Sequence, residues 1–376
     1  MSAVIAGIGA TEFSKESGRS ELQLACEATL AALRDAGIEP AVVNGMVTFT
    51  MDASNEIEIA RTIGIPELTF FSRIHHGGGA ACATVHQAAM AVETGAADVV
   101  VCYRAFNERS GFRFGRTDRY SPEMEFGWYF PFGLVTPASW VAMFAQRYMY
   151  EYGVTSEDFG RISVADRKHA ATNPNAWFYG KPITLEEHQA SPWIVEPLRL
   201  LDCCQESDGG VAIVVTSEDR AGPGAVAIEA AAQGSSEDQE SMTSYYRENI
   251  AGLPEMGLVG RQLWEDSSLT PNDIQTAIIY DHFTPFVLVQ LEELGFCARG
   301  EAKDFIKDGN IEMGGGLPIN THGGQLGEAY IHGMNGIAEA VRQLRGTAVN
   351  QVSDVEHVLV TAGTGVPTSG LILGRT

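Results

Sequence analysis

Apolar runs alternate along the chain with segments whose apolar positions recur at helical spacing. The run 4–8 predicts a buried strand that ends at Gly9, and the continuous apolar run 97–102 predicts a strand buried on both faces. Between them, the spacing of leucine and alanine over 22–36 predicts a helix, and Gly37 is a typical C-terminal stop. Helix and strand therefore alternate, which is the pattern of a layered α/β fold.

The order of predicted elements occurs twice along the chain. In the first half a helix, a strand, a glycine-rich turn, a second helix and a second strand follow one another, at 22–36, 47–50, 75–79, 80–93 and 97–102. The same elements return in the second half, at 257–266, 277–280, 322–324, about 328–344 and 358–361. Because a duplication at this scale constrains the whole architecture, we predict two similar halves, 1–222 and 223–376.

The segment from about 104 to 199 breaks this pattern. It is rich in aromatic residues and is interrupted by prolines from Pro131 to Pro192. We expect irregular structure here, in a loop subdomain inserted into the first half with a small core of its own. Because aromatic side chains often line pockets, part of the segment is also expected to form the wall around a large apolar ligand.

Composition and charge narrow the possible functions. The 376 residues carry a formal net charge of −23, which argues against partners that need a basic surface, such as nucleic acid or an anionic membrane. No uninterrupted run of about 20 apolar residues is present for a transmembrane helix. The six cysteines do not have the spacing of a metal site, and no H-E-x-x-H motif occurs. We expect a cytoplasmic protein with reduced thiols and no bound metal.

Three motifs resemble the thiolase superfamily, and most closely its sterol-carrier and lipid-transfer members. The first runs from Ser268 to Ile274, the second is Tyr280-Asp281-His282-Phe283, and the third runs from Leu201 to Gly209. The resemblance covers nearly the whole chain. It implies a five-layered αβαβα body built from two similar halves, with a loop domain inserted in the first.

The positions that match thiolase catalytic residues have changed. The residue that matches the nucleophilic cysteine is Gly78, and the second catalytic cysteine is matched by Thr361. The two catalytic histidines are matched by Tyr280 and Tyr330, while the glycine-rich loop is kept at 363–365. Thiolase chemistry requires an acyl-enzyme on a thiolate, which glycine cannot supply. A condensing or thiolytic enzyme is therefore not expected.

This combination of changes closely resembles the thiolase-like steroid side-chain aldolases. The resemblance implies retro-aldol cleavage of a β-hydroxyacyl-CoA side chain, of the 17-hydroxy-3-oxo-pregnene-20-carboxyl-CoA type, to a 17-ketosteroid and propionyl-CoA. Coenzyme A would belong to the substrate, and no separate cofactor is implied. The resemblance also implies a homodimer that recruits the small OB-fold/zinc domain of the preceding hydratase into a heterotetramer.

A retro-aldol reaction needs a base for the hydroxyl proton, a group that stabilises the thioester enolate, and an acid for its carbon. We assign proton transfer and enolate stabilisation jointly to Tyr280 and Tyr330. Tyr330 is slightly favoured as the base, because it is predicted to open a helix whose dipole would favour a phenolate. Substrate contacts are expected from the residues around them, which are His76, Gly78, His282, His322, Gly363, Thr364 and Gly365.

Two other functions stay open on the sequence. The chain has the features of a non-catalytic acyl-CoA- or sterol-binding relative of thiolases as well. A true thiolase that uses Cys82, one helical turn beyond Gly78, is the second alternative. Release of a ketone and a short acyl-CoA by the purified protein distinguishes a lyase from both.

Overall fold

The computed structural model describes residues 2–75, 77–116, 127–240, 242–365 and 367–376. Its strands are β1 Ala3–Ala10, β2 Gly45–Phe49, β3 Phe70–Ile74, β4 Val99–Asn107, β5 Trp193–Val195, β6 Leu198–Arg199, β7 Asp208–Ser217, β8 Val226–Gly234, β9 Thr276–Ile278, β10 His357–Ala362 and β11 Thr368–Arg375. Its α-helices are α1 Glu21–Ala36, α2 Glu56–Ile63, α3 Ala81–Glu93, α4 Pro137–Tyr152, α5 Ser156–Thr172, α6 Leu185–Ala190, α7 Pro254–Ser267, α8 Thr284–Glu293, α9 Ala302–Phe305, α10 Gly324–Gly327 and α11 Met334–Arg345. In these parts of the chain, no helix combines the length and the hydropathy needed to cross a membrane.

One large sheet carries the duplication. Within the described residues, nine strands pair in the order β3-β2-β4-β7-β1-β8-β11-β10-β9. The first five strands and the last four meet where β1 pairs with β8 through Val4 and Ile5. Beyond β9, a parallel bridge between Ala277 and Ile319 lies where β3 lies in the first half. The strand order therefore repeats, while a boundary between residues 222 and 223 stays a prediction.

Side chains on opposite faces of the strands enter different cores. In β7, Ile213 packs with α3 and α11, whereas Val214 packs with α1 and α2. In β10, Val360 joins the core of α3 and α11, whereas Leu359 packs with α7 and α8. Helices α3 and α11 thus lie between the two halves of the sheet, while α1 covers the outer face of the first half and α7, with α8 beside it, that of the second. The predicted αβαβα layering is confirmed.

The expectation of irregular structure over 104–199 is wrong. Strand β4 continues to Asn107, and the segment contains the long helices α4 and α5. Their ends carry ordinary signals: Thr136 caps α4, Pro137 lies in its first turn, and Gly153 ends it with a φ of 65°. The aromatic residues and prolines obscured these signals, because both are weak helix formers. The bounds of an inserted subdomain stay a prediction.

The predicted helix over about 328–344 is also wrong at its start. A short helix, α10, ends at Gly327, and α11 begins only at Met334. The chain between them cannot be helical, because His332 and Gly333 have left-handed φ values of 50° and 85°. Tyr330 therefore lies in a non-helical segment and does not open a helix.

The contact between β1 and α1 generates a test of the fold. A Cβ atom at Gly9 would lie 2.2 Å from the backbone nitrogen of Ala32 and 2.4 Å from the carbonyl oxygen of Ala28. We expect Gly9→Ala to lower the free energy of unfolding by about 1–3 kcal/mol, since the helix must move away from the strand. At Gly222 the same change meets only the Ala36 carbonyl at 3.9 Å. Gly222→Ala is the control in thermal or urea denaturation, and equal stability of both variants would contradict the prediction.

Candidate active site

A cavity of about 580 Å³ lies where the two halves and the 104–199 segment meet. Its apolar wall comes largely from that segment, through Phe112, Phe114, Pro137, Trp140 and Ile194, with Leu200 just beyond it. Charged side chains line another part of the wall, namely Lys15, Glu108, Arg109, Arg113 and Glu206. Its floor includes Gly77, Gly78, His282, Tyr330, His332, Thr364 and Gly365. The expectation that the 104–199 segment forms a wall is confirmed, and its ligand stays a prediction.

The two candidate catalytic tyrosines meet at the floor of this cavity. The Tyr280 hydroxyl donates a hydrogen bond to the Tyr330 hydroxyl, with the oxygens 3.3 Å apart. Tyr330 lines the cavity and Tyr280 lies behind it, 3% exposed. The chain after β9 is held by the backbone N–H of Tyr280, which donates to Thr361 Oγ1 at 2.9 Å, and by Gln290, which donates to the Tyr280 carbonyl at 2.8 Å. The phenol pair therefore has a fixed position.

Gly78 provides the space for the Tyr280 hydroxyl. A Cβ atom at this position would lie 1.7 Å from the hydroxyl oxygen and 2.3 Å from the ring carbon that carries it. Gly78 does not have a left-handed φ, so its backbone conformation does not require glycine. Glycine is required because there is no room for a side chain. The glycine and the tyrosine that the sequence analysis matched to a thiolase nucleophile and a thiolase histidine are therefore in direct steric contact.

Burial sets the protonation state of the two tyrosines. It raises the pKa of both phenols well above the usual range, because a phenolate would lose its hydration at this depth. Both phenols are therefore protonated in the unliganded protein and act as hydrogen-bond donors. Since Tyr330 precedes α11 by several residues, the helix dipole does not favour its phenolate, and that argument for Tyr330 as the base is wrong.

The structure brings most of the other predicted contact residues to the cavity. His282 Nε2 lies 3.2 Å from Thr364 Oγ1, and its ring stacks on Phe286 with centroids 5.1 Å apart. Burial lowers the pKa of His282 to about 3, so its imidazole is neutral. Gly365 lines the cavity beside Thr364, whereas Gly363 packs behind it against the backbone of Gly78 and Gly79.

Besides Gly363, one predicted contact residue within the described ranges does not line the cavity. His322 is buried elsewhere, with Nε2 3.9 Å from a carboxylate oxygen of Glu328, and it does not line the cavity. Burial lowers the pKa of His322 to about 3, which is consistent with a structural imidazole. His76 lies outside the described residues.

Several cavity residues were missed by the sequence analysis. Glu108 is 2% exposed, and burial, followed by the nearby Glu206 carboxylate, raises its pKa well above the usual range. Burial lowers the pKa of Lys15 to about 8. His332 follows Tyr330 by only two residues, and this proximity was a signal that could have identified it. Glu108 and Lys15 are far from every recognised motif in the sequence.

The alternative nucleophile Cys82 is poorly placed for catalysis. It is fully buried, its Sγ donates to the Val360 carbonyl at 3.7 Å, and it does not line the cavity. Burial raises the pKa of this thiol, so no thiolate is available. Cys203 and Cys204 do line the cavity, but burial also raises their pKa values. In the described ranges, no group of three or more His, Cys, Asp and Glu side chains is arranged to hold a metal ion.

Comparisons with known proteins agree with this fold. The "Thiolase C-terminal domain-like" family model matches residues 234–375. The human mitochondrial 3-ketoacyl-CoA thiolase structure is 15% identical with a TM-score of 0.71, covers 100% of this chain and 99% of its own, and supports the fold alone.

Much higher identities define the family. The steroid side-chain-cleaving aldolase of Thermomonospora curvata is 71% identical over 99% of this chain and 97% of its own length. The 17-hydroxy-3-oxo-4-pregnene-20-carboxyl-CoA lyase of Mycobacterium tuberculosis is 70% identical over 99% of each chain. A solved structure described as the Ltp2-ChsH2(DUF35) aldolase is 71% identical, with a TM-score of 0.96 over 100% of this chain and 98% of that one. The chain therefore belongs to the thiolase superfamily, in its family of steroid side-chain-cleaving aldolases.

The contact between Gly78 and Tyr280 predicts strong coupling between the two positions. We expect Gly78→Ala to lower the melting temperature markedly, because its methyl group overlaps the tyrosine hydroxyl. In a Tyr280→Ala background the same methyl group has room, so its cost should disappear. A double-mutant cycle on thermal stability measures the coupling, and additive effects would show that Tyr280 does not require the glycine.

Proposed function

We propose that the protein cleaves the side chain of a steroid β-hydroxyacyl-CoA by a retro-aldol reaction. The substrate is of the 17-hydroxy-3-oxo-4-pregnene-20-carboxyl-CoA type, and the products are a 17-ketosteroid and propionyl-CoA. The observation that carries the proposal is the pair of protonated phenols, 3.3 Å apart, at a site where the thiolase nucleophile is replaced by glycine. The names of the relatives that are 70–71% identical support the same reaction.

The cavity has the character that such a substrate requires. An apolar wall of aromatic and aliphatic side chains fits a steroid, whose burial is favoured roughly in proportion to its area. Lys15 and Arg109 add positive charge to the wall of a chain whose net charge is −23, and they suit the phosphates of coenzyme A, whereas Arg113 is already paired with Glu206 at 2.6 Å. Coenzyme A enters as part of the substrate, and the reaction uses no further cofactor.

The phenol pair suits the proton balance of the reaction. The proton of the C17 hydroxyl leaves as the C17–C20 bond breaks, and one proton is added to the enolate carbon, so the sum is zero. Tyr330, on the cavity wall, takes up the C17 hydroxyl proton as it passes its own proton to the enolate carbon, so the phenol is neutral before and after the step. Tyr280 stabilises the Tyr330 oxygen during this exchange through the hydrogen bond that it donates. A resting phenolate is not needed, which agrees with the raised pKa values.

The thioester itself accepts the electrons of the breaking bond. As the C17–C20 bond breaks, its electron pair becomes the enolate of the acyl-CoA, which the thioester carbonyl stabilises. Neither a Schiff-base lysine nor a metal ion is therefore required of this chain. We propose a metal-independent carbon–carbon lyase.

Removing either hydroxyl tests the proposal. We expect Tyr280→Phe and Tyr330→Phe to lower turnover of the steroid thioester by at least about 10²-fold, the usual scale for general acid–base catalysis. Thermal stability should change little, because ring packing is kept and one hydrogen bond contributes about 1 kcal/mol. The readout is release of 17-ketosteroid and propionyl-CoA, measured beside the melting temperature.

Tyr103→Phe is the matched control for these variants. Tyr103 is equally buried, but its hydroxyl donates to the Ser54 carbonyl at 2.7 Å and does not line the cavity. We expect near-normal turnover in this control and in Cys82→Ala. Normal turnover in Tyr280→Phe or Tyr330→Phe removes that residue from the mechanism. An acyl adduct on Cys82 would favour a thiolase, and binding without cleavage would favour a non-catalytic carrier.

Assembly is a second part of the proposal. We propose a homodimer that binds a small OB-fold/zinc domain of the preceding hydratase, giving a heterotetramer. Strand β3 lies at one edge of the sheet, and its Phe71 is 60% exposed. Pairing with a second copy would require such an exposed edge strand. The name of the 71% identical structure, Ltp2-ChsH2(DUF35) aldolase, supports a partner of this kind.

Light scattering tests this assembly. We expect the purified chain to have the mass of a dimer at micromolar concentration, and to gain two small domains when the partner is added. Phe71→Glu should favour the monomer, because it places a charge in the proposed interface. Val349→Glu, at a similarly exposed apolar residue far along the chain, is the control. A monomer in the presence of the partner would contradict the prediction.

A further inference from the structure

A cavity-lining histidine lies at the end of a buried chain of charged side chains. The Asp52 carboxylate accepts hydrogen bonds from Arg104 Nη1 and from the backbone N–H of Ala105, each at 3.0 Å. On its other side, Arg104 Nε donates to Nδ1 of His332 at 3.0 Å. The Arg104 and Asp52 side chains are 2% and 0% exposed, so their partners and not solvent fix the geometry.

The hydrogen bond from Arg104 determines which ring nitrogen of His332 carries the hydrogen. A guanidinium group has donors only, so the Nδ1 atom that it contacts must offer a lone pair. The single hydrogen of the neutral ring is then on Nε2. A positive charge on the imidazole would be repelled by the guanidinium beside it, so this contact favours the neutral ring. His332 is therefore held as a hydrogen-bond donor through Nε2.

The ring of His332 is also fixed in its orientation at the cavity floor. It stacks on Phe106 with centroids 5.1 Å apart and meets the Tyr330 ring edge-on at 4.9 Å. Its Nε2 edge faces Gly77, where a Cβ atom would lie 3.7 Å from Nε2. The donor is thus positioned beside the phenol pair, on the same cavity wall.

The backbone of His332 is strained at this position. Its φ of 50° lies in the left-handed region, which costs free energy for a residue with a side chain. Glycine would adopt this conformation without that cost, as the neighbouring Gly333 does at 85°. Strain of this kind is typical of functional positions. Because glycine would suit the turn better, the strain indicates that this position requires the imidazole side chain.

We propose that His332 is a catalytic residue that donates its Nε2–H to the thioester oxygen of the bound substrate. Arg104 and Asp52 are positioning residues that set its tautomer. The inference rests on the proposed retro-aldol function and adds a separate group for enolate charge. No proton leaves Nε2; the hydrogen bond strengthens as negative charge develops on the oxygen. The phenol pair then transfers protons, while His332 stabilises the charge.

Exchange of the α-proton of propionyl-CoA in D₂O tests this role, because it requires the enolate but no steroid. His332→Asn tolerates the left-handed backbone, yet its short amide does not reach the Nε2 position. We expect it to slow exchange by at least about 10²-fold, the scale for loss of one oxyanion donor, with the KM for propionyl-CoA little changed. His332→Gln places an amide nitrogen near the Nε2 position and should recover most of the rate.

The matched control is His357→Asn, at a histidine of β10 that pairs with Glu229 at 2.8 Å and does not line the cavity. It should exchange the α-proton at the wild-type rate. Circular dichroism and the melting temperature establish that each variant is folded. Wild-type exchange rates in folded His332→Asn and His332→Gln would overturn the proposal.

Nitrogen NMR of the wild-type full chain with labelled histidines measures the tautomer of His332 directly. No substitution at His332 is needed. We expect Nδ1 of His332 to be unprotonated and Nε2 to be protonated at neutral pH, with the Nε2–H resonance shifted by propionyl-CoA. In a paired Asp52→Asn, Arg104→Met variant, which leaves no unpaired buried charge, the two neutral tautomers should mix. A hydrogen on Nδ1 in the wild-type chain would overturn the assignment.

These measurements separate this inference from the proposed function. A wild-type chain that exchanges the α-proton but leaves the steroid thioester intact would contradict the function and support His332. Steroid cleavage at the wild-type rate by folded His332→Asn would support the proposed function and contradict the role of His332. Absence of both exchange and a propionyl-CoA-dependent shift of Nε2–H in the wild-type chain would contradict both.

Discussion

The Tyr280 hydroxyl occupies the space that any side chain at position 78 would need, and the rest of the site depends on this exclusion. Gly78 opens the short 3-10 turn that leads into α3 in the first half, whereas Tyr280 follows β9 in the second. The phenol reaches its place only because α3 packs between the two halves of the sheet. A side chain at position 78 would therefore displace the phenol, so the place of Tyr280 depends on the glycine.

Depth below the surface then sets the charge of the two tyrosines and of His282. Burial raises the pKa values of Tyr280 and Tyr330 and lowers that of His282 to about 3, so all three are neutral. The charges that remain at this depth are paired, as in Arg104 with Asp52. A neutral floor favours an apolar steroid and suits a reaction in which protons move without net ionisation. The same depth would disfavour a thiolate, as the raised pKa of Cys82 shows.

The layered fold and the phenol pair were predictable from sequence because their signals are local or match a motif residue by residue. Helices α4 and α5 were missed although their caps are local, because aromatic residues and prolines dominated the segment. The chain from Asp52 through Arg104 to His332 could not be predicted. Its members are separated by 52 and 228 positions, and only the folded sheet brings them together. Tyr330 lies outside a helix because His332 and Gly333, which follow it, have a left-handed backbone. The sequence pattern did not indicate this conformation.

A thiolase needs one strong nucleophile, whereas a retro-aldolase needs donors placed around a bond that breaks without a covalent intermediate. The duplicated scaffold supplies both arrangements from the same places, since a turn before α3, the end of β9 and the chain before α11 converge on one floor. In this chain glycine stands at position 78, and the space that a side chain would fill there is taken by a phenol. The chemistry therefore changes through the volume and protonation of a few side chains, while the strands and helices that position them keep their order.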